Sequence, residues 1–93
     1  MLQINEYFSG AVKSISFNAA TGHNSVGVIS QGEYSFNTSS AEIMHIISGS
    51  AEIKVSDSSD WQKIHAGEHF SVAANSHFLI KVSSDTAYLC EYI

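Results

Sequence analysis

Apolar and polar residues alternate with a period of two along most of this chain, and Gly, Ser, Asn and Asp clusters interrupt the alternation about every ten residues. A chain patterned this way builds short antiparallel strands, each with one face inward. No stretch holds the spacing of an amphipathic helix, and there is no proline. Only the first eight residues are compatible with a helical turn. Strands are expected at 11–17, 25–29, 33–38, 41–47, 50–55, 61–64, 69–73, 77–82 and 87–93. Turns are expected at 21–24, 57–60 and 65–68, and Ser48-Gly49 is expected to join its flanking strands as a hairpin. About nine short strands predict an all-β architecture, two packed antiparallel sheets closing into a small, jelly-roll-like barrel. The 93 residues suit one domain, 1–93. Such a barrel has room for one small ligand between its inward side chains.

Composition narrows the partners. Nine acidic and four basic side chains give a net charge of -5, spread along the chain, and there is no arginine. Nothing here holds a nucleic-acid backbone. The apolar runs are too short for a membrane helix, and the N-terminus lacks the cationic and apolar regions of a signal peptide. The single cysteine, Cys90, allows no internal disulfide and suits a reducing compartment. A cytoplasmic protein is expected.

From Gly32 the chain reads GEYSFNTSSAEIMHIISG, in which Glu42 is followed by six residues and then Gly49. This is the Glu-x6-Gly ending of the first cupin motif, and it resembles that family's barrel. The two positions that carry the His-x-His metal pair in metal-binding cupins hold Phe36 and Thr38 here. Gly67 opens GEHFSVAANSHF, with the length of the second motif, but Phe78 stands where its His belongs. The expectation is a barrel without the usual metal ligands and without a metal cofactor. The five histidines do not replace them. His65-x3-His69 would chelate zinc from a helix, whereas a strand–turn–strand setting separates the two rings. Cys90 has no adjacent base and is a poor nucleophile candidate.

End to end, the chain resembles the pyrimidine/purine nucleoside phosphorylase family, small single-domain cupins. The resemblance rests on NEYFSG at 5–10, VKSISF at 12–17, SVGV at 25–28, GEYSF at 32–36, ISG at 47–49, DWQ at 60–62 and YLCEY at 88–92. It implies a homodimeric barrel that splits purine and pyrimidine nucleosides with inorganic phosphate, yielding free base and ribose 1-phosphate. Two departures stand out. Val72-Ala73-Ala74-Asn75 replaces the family's Val-Pro-Gly-His, and His23 stands where a relative carries arginine.

Phosphorolysis needs phosphate held against the ribose, tolerance of an oxocarbenium-like charge, and a stabilised leaving base. Without arginine, phosphate must be met by lysine, hydroxyls, backbone N–H groups or a protonated histidine. Lys13 leads these: it alternates in phase with Ile15 and Phe17, so an interior position for them carries its ammonium inward. The alternative is a lysine near a strand end whose stem reaches water. Thr38 and Glu42 sit at cupin ligand positions and are the catalytic candidates. Glu42 would orient ribose hydroxyls or stabilise the oxocarbenium, or simply hydrogen-bond within the barrel; Thr38 is equally explained as a backbone-bonded hydroxyl. Tyr34, Phe36 and Phe78 offer a stacking wall for any base, or ordinary core packing. Tyr92 shares parity with Tyr88 and Cys90 and reaches either the pocket or a dimer seam. Two rival readings remain: a nucleoside- or sugar-phosphate-binding barrel without catalysis, and a metal-dependent cupin using unexpected histidines.

Overall fold

The computed structural model describes residues 2–56 and 60–93. Ten strands form two antiparallel sheets: β1 (Gln3–Tyr7), β2 (Val12–Ala19), β3 (Gly22–Ile29), β4 (Gly32–Asn37), β5 (Glu42–Ser48), β6 (Ser50–Val55), β7 (Gln62–His65), β8 (His69–Val72), β9 (His77–Val82) and β10 (Thr86–Tyr92). The wide sheet has the order β1-β2-β3-β10-β5-β8, and the narrow one β4-β9-β6-β7. No helix among the described residues is long and apolar enough to cross a membrane.

Alternation places one side of each strand between the sheets. Ile46 of β5, Ile53 of β6, Val72 of β8 and Ile80 of β9 are fully buried, with Phe70, Phe78 and Val82 beside them. They form the apolar core where these strands face one another. The wall made by β2 and β3 is different. Its inward positions are Val12, Ser14, Ser25, Gly27 and Ile29, and small residues there leave space under the wide sheet.

Most expected strands lie within a residue or two of those observed. Four readings need correction. The opening residues form strand β1 and then a tight 3-10 turn at Phe8–Gly10, not a helical turn. β3 starts at Gly22, because β2 and β3 pair down to Ala19 opposite Gly22 and leave only Ala20-Thr21 as the turn. Ser48-Gly49 does not close a hairpin. β5 pairs with β10 and β8, while β6 pairs with β9 and β7, so the bend carries the chain from one sheet to the other. Gly49 is required there: its φ is +91°, and a Cβ would lie 2.8 Å from Thr86 Oγ1. Finally, the apolar face of β2 points outward. Ser14 is 4% exposed, whereas Lys13 and Ile15 are exposed. The turn expected at 57–60 lies, for residues 57–59, outside the described residues.

The Val72-Ala73-Ala74-Asn75 segment turns between β8 and β9 without proline or glycine. Asn75 takes the left-handed backbone position, φ +53°, which asparagine tolerates better than most residues. Thr38 fastens this turn. Its hydroxyl donates to the Ala73 carbonyl at 2.6 Å and accepts from the Ser76 N–H at 3.0 Å, while its own N–H donates to the Ser76 carbonyl. Thr38→Val should therefore lower unfolding free energy by about 1–3 kcal/mol in a urea titration, and Thr38→Ser should recover most of it. Wild-type stability in the valine variant would remove the clamp from this account.

Candidate active site

A half-open cavity of about 250 Å³ lies between the sheets against the β2–β3 wall. Strand register explains its lining. Tyr92 of β10 sits opposite Glu42 of β5, and Glu42 opposite Val72 of β8. In the next inward row, Ser25, Cys90 and Met44 are cross-strand neighbours; in the row after, Ser14, Gly27 and Tyr88 are. Gly27 is what lets Tyr88 lie flat across the wall, since a Cβ there would stand 2.7 Å from its phenol ring and oxygen. Phe36 and Phe78, stacked at 5.5 Å from the narrow sheet, close the opposite side. Tyr7, Ile29, Asn37 and Ser39 complete the lining, while Ser14, Ser25, Gly27 and Val72 stand behind it.

Around Glu42 the polar groups are uncharged. The Cys90 thiol donates to Glu42 Oε1 at 3.5 Å. Tyr92 and Ser25 share a hydroxyl–hydroxyl bond of 3.0 Å, and Tyr88 is hydrogen-bonded to Ser14. Burial pushes the Cys90 thiol well above its ordinary range, and the neighbouring Glu42 charge adds to this. Cys90 is therefore a thiol donor rather than a thiolate nucleophile. Burial also raises Tyr92 and takes Tyr88 up to about 12, so both stay phenols at neutral pH. Glu42 is half-buried, and desolvation raises its carboxyl against the opposing pull of the Cys90 hydrogen bond. The site is thus one carboxyl group that changes charge, set among donors that do not.

Four of the sequence-selected residues meet in this cavity: Glu42, Phe36, Phe78 and Tyr92. Phe78 is 2% exposed and bridges Phe36 and Phe70, so it serves the core as well. Three do not line it. Lys13 lies on the outer face, with Nζ 3.6 Å from Glu6 Oε1, because β2 turns its serines inward. Thr38 spends its hydroxyl on the β8–β9 turn. Tyr34 closes the turn before β4, donating to the Ser30 carbonyl at 2.9 Å, and packs against Phe8 rather than the cavity. Tyr7, Ile29, Asn37, Ser39, Met44, Tyr88 and Cys90 are the additions. Parity with Tyr92 already pointed to Tyr88 and Cys90. Tyr7 had no such signal: it reaches the cavity through a corner in which Phe8, Ser9 and Gly10 all have positive φ. Among the described residues, no group of three or more His, Cys, Asp or Glu is arranged to hold a metal.

Two antiparallel sheets enclosing a small cavity define a cupin-like barrel. The fold is shared with the Clostridium difficile EutQ protein at a TM-score of 0.71 and 13% identity, over 85% of this chain and 64% of that one. The profile of the family described as pyrimidine/purine nucleoside phosphorylase matches residues 2–92, and the chain belongs to that family. A Pseudomonas fluorescens (strain Pf0-1) relative named pyrimidine/purine nucleoside phosphorylase is 55% identical over 99% of this chain and 98% of its own length. A Vibrio parahaemolyticus protein of unknown function has a solved structure that superimposes with a TM-score of 0.96, at 42% identity over 100% and 99% of the two chains.

The Glu42 shift has a consequence for stability. An acid whose folded value is raised keeps its proton to higher pH in the folded state than in the unfolded chain. Its effect on stability then becomes less favourable as pH rises from the unfolded glutamate value, about 4.3, through the folded one. Glu42→Gln should match wild type in melting temperature below the ordinary glutamate range, gain on it as pH rises through the folded value, and keep that lead above it. Parallel melting curves across that range would show that burial of Glu42 carries no such penalty.

Proposed function

We propose that this chain is a nucleoside phosphorylase, cleaving purine and pyrimidine nucleosides with inorganic phosphate to free base and ribose 1-phosphate. The observation that carries this is the 55% identity, over almost the whole of both chains, to a relative of that name. The cavity supplies chemistry that fits. The base lies against Phe36, with Tyr7 edge-on to it at 6.0 Å; an aromatic face accepts either class of base, since every base has a π-face. The ribose hydroxyls donate hydrogen bonds to ionised Glu42, whose negative charge stabilises the positive charge growing at C1′. The glycosidic electron pair departs with the base, and a phosphate oxygen bonds to C1′. Ser39 and Asn37 at the mouth, with the phenol of Tyr92, are the donors for phosphate. Lys13, on the outer face, is not among them. The homodimer implied by family resemblance is part of this proposal.

Base release from uridine, adenosine or inosine, followed with and without phosphate, tests the reading. Release that does not depend on phosphate for any of the three would overturn it. Glu42→Gln should reduce kcat by roughly 10²–10³-fold. In wild type, kcat/KM should rise with pH along a limb displaced above the ordinary glutamate range, because the ionised form is the working one and burial delays it. That limb should vanish in the variant. Ser39→Ala should raise KM for phosphate about tenfold while leaving KM for nucleoside unchanged.

One observation favours a second reading. Among the described residues, the cavity lining contains no lysine or histidine, and the chain has no arginine. A barrel that binds nucleosides without turnover would fit that lining. Thermal stabilisation by nucleoside, with no phosphate-dependent product, would select it.

A further inference from the structure

Three of the chain's four lysines, Lys54, Lys63 and Lys81, stand on the outer face of the narrow sheet, because they alternate with the buried Ile53, Ile64 and Ile80. Strand register sets the charges in order: Glu33, Lys81, Glu52 and Lys63 follow one another across β4, β9, β6 and β7. Lys63 and Lys81 thus flank Glu52, and Lys81 Nζ lies 3.7 Å from Glu52 Oε2. Trp61, the one tryptophan, props the same ammonium. Lys81 Nζ is 4.0 Å from the indole centroid, and Lys54 Nζ is 5.8 Å from it. Glu52, Lys63 and Lys81, with Ser50 and Ser83, line a second hollow of about 160 Å³. No residue lines both this hollow and the cavity between the sheets.

We propose that this outer hollow binds a small hydroxylated phosphate ester, of the sugar-phosphate type. Charge is the first argument. The chain carries -5 overall, yet in the strands of the narrow sheet three lysines against Glu33 and Glu52 leave one positive charge. An anion approaching an acidic protein is drawn to such a surface. The order of the charges is the second argument. Glu52, set between two ammonium groups, repels a bare anion. A ligand that gains from this array must therefore bring hydrogen-bond donors beside its negative group. A phosphate ester of a polyol does so: the phosphate reaches Lys63 and Lys81, and the sugar hydroxyls donate to Glu52. Ser50 and Ser83 supply hydroxyls that donate or accept. Preparation is the third argument. The indole and Glu52 already hold the Lys81 ammonium, so less side-chain freedom is lost on binding. The hollow is also smaller than the roughly 300–1,000 Å³ of a drug-sized pocket, which suits a pentose phosphate better than a nucleotide.

Ribose 5-phosphate, titrated into the protein at low ionic strength to a few tens of millimolar, should shift the backbone amide resonances of Ser50 and Ser83 and the indole N–H of Trp61. Lys63→Ala and Lys81→Met should each raise its Kd roughly tenfold. Lys13→Ala, on the wide sheet, should leave the Kd unchanged. Inorganic phosphate should bind wild type more weakly than the ester, and Glu52→Gln should cut that preference roughly tenfold, because the acceptor for the sugar hydroxyls loses its charge. Absent shifts at Ser50 and Ser83, or shifts confined to cavity residues such as Asn37 and Tyr92, overturn the assignment. So does inorganic phosphate that binds wild type as tightly as the ester, or a loss in Lys13→Ala equal to that in Lys63→Ala. Should Lys81→Met misfold, Lys63→Ala, at an exposed position, still decides the matter. None of these readouts needs turnover. A protein without phosphorylase activity would sink the enzymatic reading and leave this hollow to be judged on its own titration.

Discussion

A strand turns only alternate residues inward, and in β2 and β3 those residues include Ser14, Ser25 and Gly27, with isoleucine and valine left outside. The rest of the structure depends on this inversion. Two sheets packed at the usual separation fill the space between them when both faces carry large apolar side chains. That happens where β5, β6, β8 and β9 meet. Beside the β2–β3 wall the filling stops, and Tyr88 and Tyr92 lean across the vacated space toward Ser14 and Ser25. The cavity is the volume they leave.

The same inversion sets the chemistry. With phenols hydrogen-bonded to the wall serines and a thiol beside them, the cavity offers several neutral donors and one carboxyl group, Glu42. Burial keeps the phenols and the thiol protonated, so Glu42 alone decides the sign of the field inside. The cupin ligand positions are put to other uses here. Phe36 has become a wall, and Thr38 a fastener for the β8–β9 turn, which lies beside Val72 and so beside Glu42. Replacement of the family's proline and glycine by Ala73 and Ala74 leaves that turn to Asn75 and to Thr38, whose two hydrogen bonds hold it.

Much of the fold was legible, because period-two alternation and turn clusters mark strands wherever one face is buried. That Glu42, Phe36, Phe78 and Tyr92 line the cavity was legible for a related reason: motif spacing and strand parity fix which way they point. The misreadings share a physical cause. Lys13 was carried inward with Ile15 and Phe17 on the rule that an apolar face is an interior face, and in β2 the interior is polar. Tyr34 has the parity of Phe36, but its hydroxyl is captured by the backbone of residues 30 and 31, which no alternation pattern records. Tyr7 depends on successive positive-φ residues after β1, a corner without glycine at its first two positions. Ser48-Gly49 has hairpin composition, yet the twist of the sheets makes it a passage between them.

A wall of serine and glycine gains little from its inner side. Fully burying a valine or isoleucine is worth about 1.5–3 kcal/mol, and Ile15, Val26 and Val28 realise only about half of that while 43–49% exposed. The inner side cannot be made more apolar without closing the cavity, since a Cβ at Gly27 already collides with Tyr88. Cavity and exposed apolar face are the two sides of one pair of strands. A shift of register by one residue would exchange them, filling the cavity with isoleucine and valine and turning serine outward. The polarity that opens the cavity within the barrel is thus the polarity that leaves Ile15, Val26 and Val28 exposed on its outer face.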